Sequence, residues 1–339
     1  MIDLRSDTIT RPSREMLEAM MHAETGDDVF SEDPTVNKLQ EMCAELSGKE
    51  SSLFVTSGVM GNQLAIKSHT EPGDEVIVET ESHVINYETA APSVISSVQL
   101  LPVTGMNGIL YADDIKKHIR SSEYYFPRTR LVCLENTHNR AGGVILPIES
   151  IMSISEMAKE MGIKTHLDGA RIFNAQVETG ITLKDYASHF DSVSFCFSKG
   201  LGCPVGSILC GNKDFIEKAR KWRKILGGGM RQAGILAAAG IYALQNNILR
   251  LKQDHDKAMI FAGELKTLDR ITINQENVQT NIVIFALKDT PKNEFLKEMK
   301  ERGVNLSSGS YENIRAVFHM DVSEEETILA IDKIRGALA

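Results

Sequence analysis

Residues 192–200 read SVSFCFSKG, an apolar, strand-forming run that ends in the single amine of Lys199. A loop rich in glycine and proline follows at residues 201–206. Upstream, residues 163–171 read IKTHLDGAR, where a second apolar strand ends in the carboxylate of Asp168. Open α/β sheets place their ligands at the carboxyl ends of the strands, so these two ends indicate a functional site. A surface lysine and a helix-capping aspartate are the alternative interpretation.

Strand-like and helix-like segments alternate around this run. Strands are predicted at residues 53–56, 74–79, 98–103, 131–135 and 207–210, and helices at 60–69 and 151–161. Strands that are separated by helical stretches predict a mainly parallel sheet covered by helices on both faces. The chain is therefore assigned to the α/β class.

The pattern changes after residue 234. A long or broken helical stretch covers residues 234–267, and strand, helix and strand segments follow it. A last helix is predicted to begin at Ser323, where Glu326 completes a capping box. We therefore expect a large domain over residues 1–250 and a smaller C-terminal α+β domain over 251–339.

Composition and charge narrow the class of protein. The 339 residues carry a net charge of −9, which disfavours nucleic acid and anionic membranes as partners. The first residues are polar and charged, so we expect no secretion signal. The five cysteines are odd in number and include no C-x-x-C pair. We expect reduced cysteines, no metal site and a cytoplasmic location.

An amine and an acid at strand ends are the groups that a pyridoxal phosphate (PLP) site needs. The amine of Lys199 would form a Schiff base, and Asp168 would hold a proton on the pyridine nitrogen. His83 follows another strand end, where its flat ring can stack on a pyridine or handle a proton. Ser57 and Gly58 join a strand to a helix, where N–H groups close around an anion. A structural histidine and a glycine kept for steric reasons are the alternatives.

Two further segments carry unusual polarity. Residues 227–229 are three glycines before Arg231, which can supply positive charge to a phosphate. For the nearby Lys221 and Arg223 we prefer a solvated helix face. Residues 135–143 form a dense polar cluster directly after a strand, and for the cluster as a whole a functional role is favoured over a structural turn.

A series of motifs then appears in one order: RSDT (5–8), GDDV (26–29), EDP (32–34), ENTHN (135–139), HLDGAR (166–171), SKG (198–200) and GGGMRQAG (227–234). In these motifs the chain closely resembles the L-threonine aldolases, in the aspartate aminotransferase-like (fold type I) class of PLP enzymes. The resemblance runs from residue 2 to about residue 320. It implies a PLP-dependent transferase-like large domain with a mainly parallel seven-stranded sheet between helices. It also implies that the N-terminal arm, residues 1–14, contributes to the substrate site.

The resemblance also implies roles for single residues. It makes Lys199 the Schiff-base lysine, Asp168 the partner of the pyridine nitrogen and His83 the ring-stacking residue. The implied cofactor-binding residues are Ser57, Gly58, Val59, His83, Asp168, Arg171, Lys199, Lys224 and Arg231. Lys224 is expected to reach the phosphate of a neighbouring subunit. Family members commonly have threonine where this chain has Val59, so we expect weaker cofactor binding at most.

The implied reaction is retro-aldol cleavage of L-threonine or L-allo-threonine to glycine and acetaldehyde. Ser6, Arg171 and Arg315 match residues that hold the substrate α-carboxylate, and an arginine fork binds a planar carboxylate with two parallel bonds. A base must also remove the β-hydroxyl proton. Either His83 or His138 can do so, directly or through a water, and the sequence does not choose between them. Tyr87 and Glu88 rank lower.

The remaining alternatives concern reaction and assembly. Relatives on this fold carry out β-elimination, transamination or cysteine desulfuration. A catalytically dead binding protein is a different class, and the presence of Lys199, Asp168, Arg171 and Arg315 argues against it. The resemblance also implies a homotetramer whose active sites lie at a dimer interface.

Overall fold

The structure is a computed structural model and describes residues 1–338. The chain begins with a two-residue strand, β1 (Ile2–Asp3). The seven strands of the large sheet are β2 (Ser51–Val55), β3 (Glu75–Glu79), β4 (Gln99–Val103), β5 (Thr129–Glu135), β6 (Lys164–Asp168), β7 (Ser192–Cys196) and β8 (Ser207–Gly211).

The large sheet is mixed but mainly parallel. Its strand order is β2-β8-β7-β6-β5-β3-β4. Each pair of neighbours along β4-β3-β5-β6-β7 is parallel. Strand β8 runs antiparallel to both β2 and β7. The predicted seven-stranded, mainly parallel sheet is confirmed.

Helices cover the sheet and connect its strands. The helices of this part of the chain are α1 (Arg14–Met21), α2 (Pro34–Ser47), α3 (Gly58–His69), α4 (His83–Asn86), α5 (Ala112–Lys116), α6 (Ile148–Glu160), α7 (Ile172–Thr179), α8 (Leu183–Ser188), α9 (Lys213–Ile225) and α10 (Gly234–Asn246). The helix predicted over 151–161 therefore begins three residues earlier, at Ile148.

The sheet buries both of its faces. In β2, Phe54 packs into the core beneath α2 and α6, whereas its neighbours Leu53 and Val55 pack against α3 and α9 on the opposite face. The same alternation continues in β5, where Val132 and Leu131 belong to different clusters. Because successive side chains of a strand point to opposite faces, this pattern requires helices on both sides.

The C-terminal part has a second, smaller sheet and core. Its elements are α11 (Leu251–Lys266), β9 (Ile271–Ile273), β10 (Ile282–Leu287), α12 (Lys292–Glu301), β11 (Val304–Asn305), β12 (Ser307–Ser308), β13 (Ile314–Val317) and α13 (Glu324–Leu338). Strands β12, β13, β10 and β9 form an antiparallel sheet in that order. The predicted capping box of α13 is present, because Ser323 and Glu326 each accept a hydrogen bond from the other's backbone N–H.

The N-terminal arm joins this second core. Strand β1 pairs in parallel with β11, and Ile2 and Leu4 pack into the hydrophobic core of the C-terminal part. The helical stretch of 234–267 is broken, because α10 ends at Asn246 and α11 begins at Leu251. The domain boundary near residue 250 coincides with this break and stays a prediction. Within residues 1–338, no helix is both long and apolar enough to cross a membrane.

Candidate active site

Three strand ends bring the predicted site residues together. Glu135 and Asp168 are the last residues of the neighbouring strands β5 and β6, and they are direct partners in the sheet. Lys199 comes three residues after the end of β7, the next strand along. The buried carboxylate of Glu135 accepts the backbone N–H of His83 at 2.6 Å and that of Asn139 at 2.9 Å. It thereby anchors two loops at this edge.

Asp168 is a buried carboxylate that remains ionised. Its Oδ2 accepts a hydrogen bond from the Asn62 side chain at 2.7 Å, and its Oδ1 accepts the backbone N–H of Ala170 at 3.1 Å. Burial alone raises the pKa of Asp168, but the charges of His83 and Lys199 and the Asn62 bond outweigh it. The pKa therefore lies below its usual value, as a partner for a pyridinium requires.

His83 begins the short helix α4 and is fixed through its ring. Its Nδ1 lies 2.8 Å from Oε1 of the buried Glu88, and the ring of Tyr87 lies 5.5 Å away between centroids. Burial lowers the pKa of His83, but the Glu88 hydrogen bond and the charges of Asp168 and Glu88 raise it overall. His83 is therefore a stronger base than a free imidazole.

A cavity of about 270 Å³ opens beside these residues. Its lining residues are Ser6, Thr8, His83, Tyr87, Asn139, Arg140, Arg171, Lys199, Ile284, Ser307, Ser308, Gly309, Ser310 and Arg315. Six of the candidate residues named from the sequence share it: Ser6, His83, Tyr87, Arg171, Lys199 and Arg315.

The two predicted carboxylate anchors differ in their partners. Arg171 gives Nε and Nη2 to the buried carboxylate of Asp7 at 2.7 and 2.5 Å, so its fork is already bound. Burial raises the pKa of Asp7, yet the charge of Arg171 outweighs this and holds the pKa well below its usual range. Arg171 thus ties the N-terminal arm to the cavity.

Arg315, by contrast, has unused capacity. Its Nη2 donates to Asn139 at 2.8 Å and its Nη1 to the Arg5 carbonyl at 3.1 Å. Its buried Nε has no hydrogen-bond partner among residues 1–338. Burial and the neighbouring charge of Arg171 lower the pKa of Arg315 to about 10. A buried cation that is destabilised in this way favours the binding of an anion.

The first turn of α3 suits a phosphate. The side chain of Ser57 caps the helix by accepting the Met60 N–H at 3.1 Å, and the first backbone N–H groups of a helix have no intrahelical partner. A Cβ on Gly58 would lie 2.7 Å from Sγ of Cys196, so only glycine fits there. Nearby, the buried hydroxyl of Ser207 has no hydrogen-bond partner. Residues 57–59 therefore fit the anionic end of PLP.

Arg231 and Lys224, the two basic residues predicted to bind the cofactor phosphate, do not line the cavity in this single chain. Arg231 forms an ion pair with Asp27 at 2.9 Å, and half of its side chain is exposed. Lys224 is exposed and lies against the glycine turn at Gly229. This is the arrangement expected if Lys224 serves a neighbouring subunit, and that role stays a prediction.

His138 does not line the cavity. Its ring is fully buried, with Nε2 at 2.9 Å from Oε2 of Glu79 and Nδ1 accepting the backbone N–H of Ala141 at 3.3 Å. Both nitrogens are thus in use. Of the two histidines that the sequence left open as bases, the structure places only His83 beside Lys199.

Some residues in or next to the cavity carried a weak sequence signal or none. Asp7 lies in the RSDT motif, but only the fold shows that it binds Arg171. Arg140 lies in the polar cluster after β5, where it forms an ion pair with Glu81 and donates to the Tyr87 hydroxyl at 3.0 Å. Residues 307–310, reading SSGS, come from a turn of the small sheet that no motif marked.

The chain is similar to known proteins over most of its length. The profile of the family described as beta-eliminating lyase matches residues 3–288. The low-specificity L-threonine aldolase of Escherichia coli (strain K12) is 46% identical over 327 residues, covering 96% of each chain. The low-specificity L-threonine aldolase 1 of Arabidopsis thaliana is 42% identical and covers 99% of this chain and 96% of its own.

Solved structures share the fold at lower identity. A threonine aldolase from Leishmania major superposes with a TM-score of 0.86 at 20% identity and covers 100% of both chains. A putative L-allo-threonine aldolase from Listeria monocytogenes gives 0.82 at 22% identity, covering 99% of this chain and 96% of its own. The resemblance found in the sequence motifs is confirmed, and the chain belongs to the beta-eliminating lyase family, in its group of L-threonine aldolases.

Proposed function

We propose that this protein is a PLP-dependent lyase that cleaves L-threonine and L-allo-threonine to glycine and acetaldehyde. The observation that carries the proposal is the cavity in which Lys199, His83 and Arg315 meet beside the buried Asp168. An amine, a base, a cation for a carboxylate and an acid are the groups that this reaction needs. The identity of 46% to a named L-threonine aldolase supports the choice of reaction.

The chain's residues fit the cofactor group by group. When bound, PLP supplies an electron sink that stabilises the negative charge left on Cα after a bond to it breaks. Lys199 would bind its aldehyde carbon, Asp168 its protonated ring nitrogen, and residues 57–59 its phosphate. Val59 has no hydroxyl to offer that phosphate, but its backbone N–H is available in the first turn of α3.

Arg315 and Ser6 orient the substrate. Arg315 brings the positive charge of its guanidinium to the cavity, where a substrate carboxylate would pair with it, and Ser6 lines the same cavity. Arg171 contributes positive charge, although its fork is bound to Asp7. A carboxylate held at one side of the cavity fixes which bond to Cα stands perpendicular to the cofactor ring, and for threonine that bond is Cα–Cβ.

His83 is the proton acceptor in this proposal. With Nδ1 donating to Glu88, the lone pair of its ring lies on Nε2, which can take the proton of the β-hydroxyl group. His138 is enclosed, and both of its nitrogens have partners, so we assign it no proton transfer.

A second candidate is elimination at Cβ. It uses the same residues and the same electron sink, and the description of the matching family as beta-eliminating lyases favours it. Bond choice separates the two reactions. Cleavage of Cα–Cβ releases an aldehyde and leaves glycine, whereas elimination removes the Cα proton and the β-substituent, and hydrolysis then gives an α-keto acid and ammonia.

We further propose a cytoplasmic homotetramer. All five cysteines are free and buried, which suits a reducing compartment. Tyr124, Tyr125 and Phe126 are consecutive, exposed aromatic residues, and such apolar patches commonly mark contacts between chains. Light scattering of the purified protein tests the assembly directly: a mass near that of a single 37.5 kDa chain would exclude the tetramer.

Product analysis tests the function. Purified protein with PLP is incubated separately with L-threonine, L-allo-threonine, D-threonine and L-cysteine, and acetaldehyde, 2-oxobutanoate and sulfide are measured. Acetaldehyde from both L-threonine epimers, at comparable rates, is the expected result. Formation of 2-oxobutanoate or sulfide, with no acetaldehyde from either epimer, would replace the aldolase proposal with elimination.

A further inference from the structure

Glu88 is a buried carboxylate with three side-chain donors. It is 2% exposed, and His83 Nδ1 and Asn62 Nδ2 each lie 2.8 Å from its Oε1. Gln63 Nε2 donates to its Oε2 at 2.5 Å. Both carboxylate oxygens are therefore occupied by side-chain donors, so Glu88 is not itself a free base for the substrate.

Asn62 connects the carboxylate of Glu88 to that of Asp168. Its Nδ2 donates to both Glu88 and Asp168, at 2.8 and 2.7 Å. Its Oδ1 accepts from the hydroxyl of Ser194 at 2.9 Å and lies 3.2 Å from Nε2 of His166. One amide therefore supplies hydrogen bonds to two buried carboxylates.

A chain of hydrogen bonds fixes the orientation of the Asn62 amide, with Oδ1 towards His166 and Nδ2 towards the two carboxylates. Nδ1 of His166 lies 2.9 Å from the Ser192 hydroxyl, which lies 2.8 Å from Nε2 of His69. Burial lowers the pKa of His166 to about 4 and that of His69 to about 3, so both rings are neutral. Each neutral ring has one donor and one acceptor nitrogen. Because Oδ1 of Asn62 can only accept, Nε2 of His166 donates to it and Nδ1 of His166 accepts from the Ser192 hydroxyl. The Ser192 oxygen in turn accepts from Nε2 of His69.

From this geometry we infer that Glu88 is a positioning residue for the retro-aldol step: it holds the Nδ1–H tautomer of His83 so that Nε2 accepts the β-hydroxyl proton. Asn62 has the supporting role of holding the carboxylates of Glu88 and Asp168 in place through one amide group. The inference rests on the proposed function for the identity of the proton that His83 accepts, but the tautomer itself is a property of the chain.

The surroundings of His83 make Glu88 its main determinant. The charged groups that face the ring are Glu88, Asp168 and Glu135, and Lys199 lines the same cavity. Among the described residues, only Glu88 is hydrogen-bonded to the ring. A ring nitrogen of His83 and carboxylate oxygens of Glu88 and Asp168 all lie within 4.8 Å of one another. Neutralising Glu88 removes both a hydrogen bond to a charged group and the nearest opposite charge.

Residue-resolved chemical modification tests the inference without any substrate. Diethyl pyrocarbonate modifies the unprotonated imidazole, so the rate of modification of His83, followed by peptide mass spectrometry against pH, reports its pKa. In Glu88→Gln, loaded with PLP, we expect the midpoint to fall by about one pH unit or more relative to wild type. The acid limb of kcat/KM for L-threonine should move the same way, and kcat should fall about tenfold or more while KM changes little.

The controls separate positioning from general damage. Glu79→Gln removes the matching carboxylate from the enclosed His138, and it should leave the His83 midpoint unchanged. Glu88→Asp keeps the charge but shortens the side chain, so its midpoint should lie between wild type and Glu88→Gln. A His83 midpoint equal to wild type in either folded Glu88 variant overturns the inference. If wild type releases no acetaldehyde but the midpoint still falls in Glu88→Gln, the proposed function fails and the role of Glu88 in fixing the tautomer stands.

Discussion

Two of the molecule's histidine–glutamate pairs, those of His83 and His138, differ in their surroundings rather than in their chemistry. His83 and Glu88 lie 2.8 Å apart, and His138 and Glu79 lie 2.9 Å apart. The pKa of each histidine is raised. The side chain of His83 is 29% exposed and lines the cavity with Lys199, whereas that of His138 is 1% exposed. The two pairs therefore differ in access to the cavity, and we call His83–Glu88 the open pair and His138–Glu79 the enclosed pair.

The enclosed pair is covered by a tight turn. The backbone N–H of Gly105 donates to Oε1 of Glu79 at 3.2 Å. Gly108 has a φ of +78°, and a Cβ on it would lie 2.6 Å from Cγ of His138. The turn therefore packs directly on the imidazole and leaves no room for a substrate. His83 has no such cover, because it begins a short helix at the edge of the cavity.

The largest effect that the comparison predicts is at Lys199. If catalysis takes place in the cavity beside His83, Lys199→Ala should lose the near-visible absorbance band of the lysine-bound cofactor. Its rate of threonine cleavage should fall about a thousandfold or more. Spectra and acetaldehyde release of the same preparation check this. Cleavage at the wild-type rate would show that the cavity beside His83 is not the catalytic site.

A second prediction concerns the cation across the cavity from His83. Lysine lacks the planar fork of arginine, so Arg315→Lys should raise KM for L-threonine about tenfold, with a smaller change in kcat. Arg5→Lys is the matched control, because Arg5 is an exposed arginine that pairs with Asp3. Steady-state kinetics of both variants suffice, and an unchanged KM in Arg315→Lys would contradict its role as carboxylate anchor.

The smallest effect should be on the enclosed pair, and it concerns stability rather than rate. Burial lowers the pKa of His138, but the charges of Glu135 and Glu79 and the Glu79 hydrogen bond raise it above 6.5 overall. Protonation gives up the 3.3 Å hydrogen bond that Nδ1 accepts from Ala141, but the shorter pair with Glu79 and the nearby carboxylate charges favour the protonated ring overall. Protonated His138 therefore contributes stability that is present below its unfolded pKa and is lost as the pH rises through its folded pKa. Glu79→Gln should cost about 1–3 kcal/mol of unfolding free energy near neutral pH and below.

Thermal melts measure this pH dependence. The deficit of Glu79→Gln relative to wild type should be larger at about pH 6 than at about pH 9, because His138 is neutral at the higher pH in both proteins. A deficit that grows with pH would mean that His138 is not held as a cation. The two pairs would then differ in protonation as well as in access.

Local patterns in the sequence predicted the sheet and the positions of its reactive ends. The apolar runs before Asp168 and Lys199 are short and bounded by glycine, and both form strands of the predicted parallel sheet. The motifs likewise identified the histidines that follow β3 and β5. These features depend on residues adjacent in the chain, so periodicity and composition are sufficient to find them.

Burial and long-range partners could not be predicted in the same way. His138 lies in a motif as dense in polar residues as any in the chain, yet a turn 30 residues upstream encloses it. Asp7 binds Arg171 across 164 residues of sequence, and it thereby occupies the fork that the resemblance reserved for the substrate. Glu88 ranked low as a base, and only the side chains of Asn62 and Gln63 reveal its supporting position.

The account's central claim is that the open pair, not the enclosed one, moves the proton of the substrate. Measuring kcat for L-threonine in His83→Asn and His138→Asn, side by side and loaded with PLP, tests it most directly. We expect kcat to fall about a hundredfold or more in His83→Asn. In His138→Asn, kcat should stay within about threefold of wild type while the melting temperature falls. The opposite ranking of the two kcat values would contradict the account.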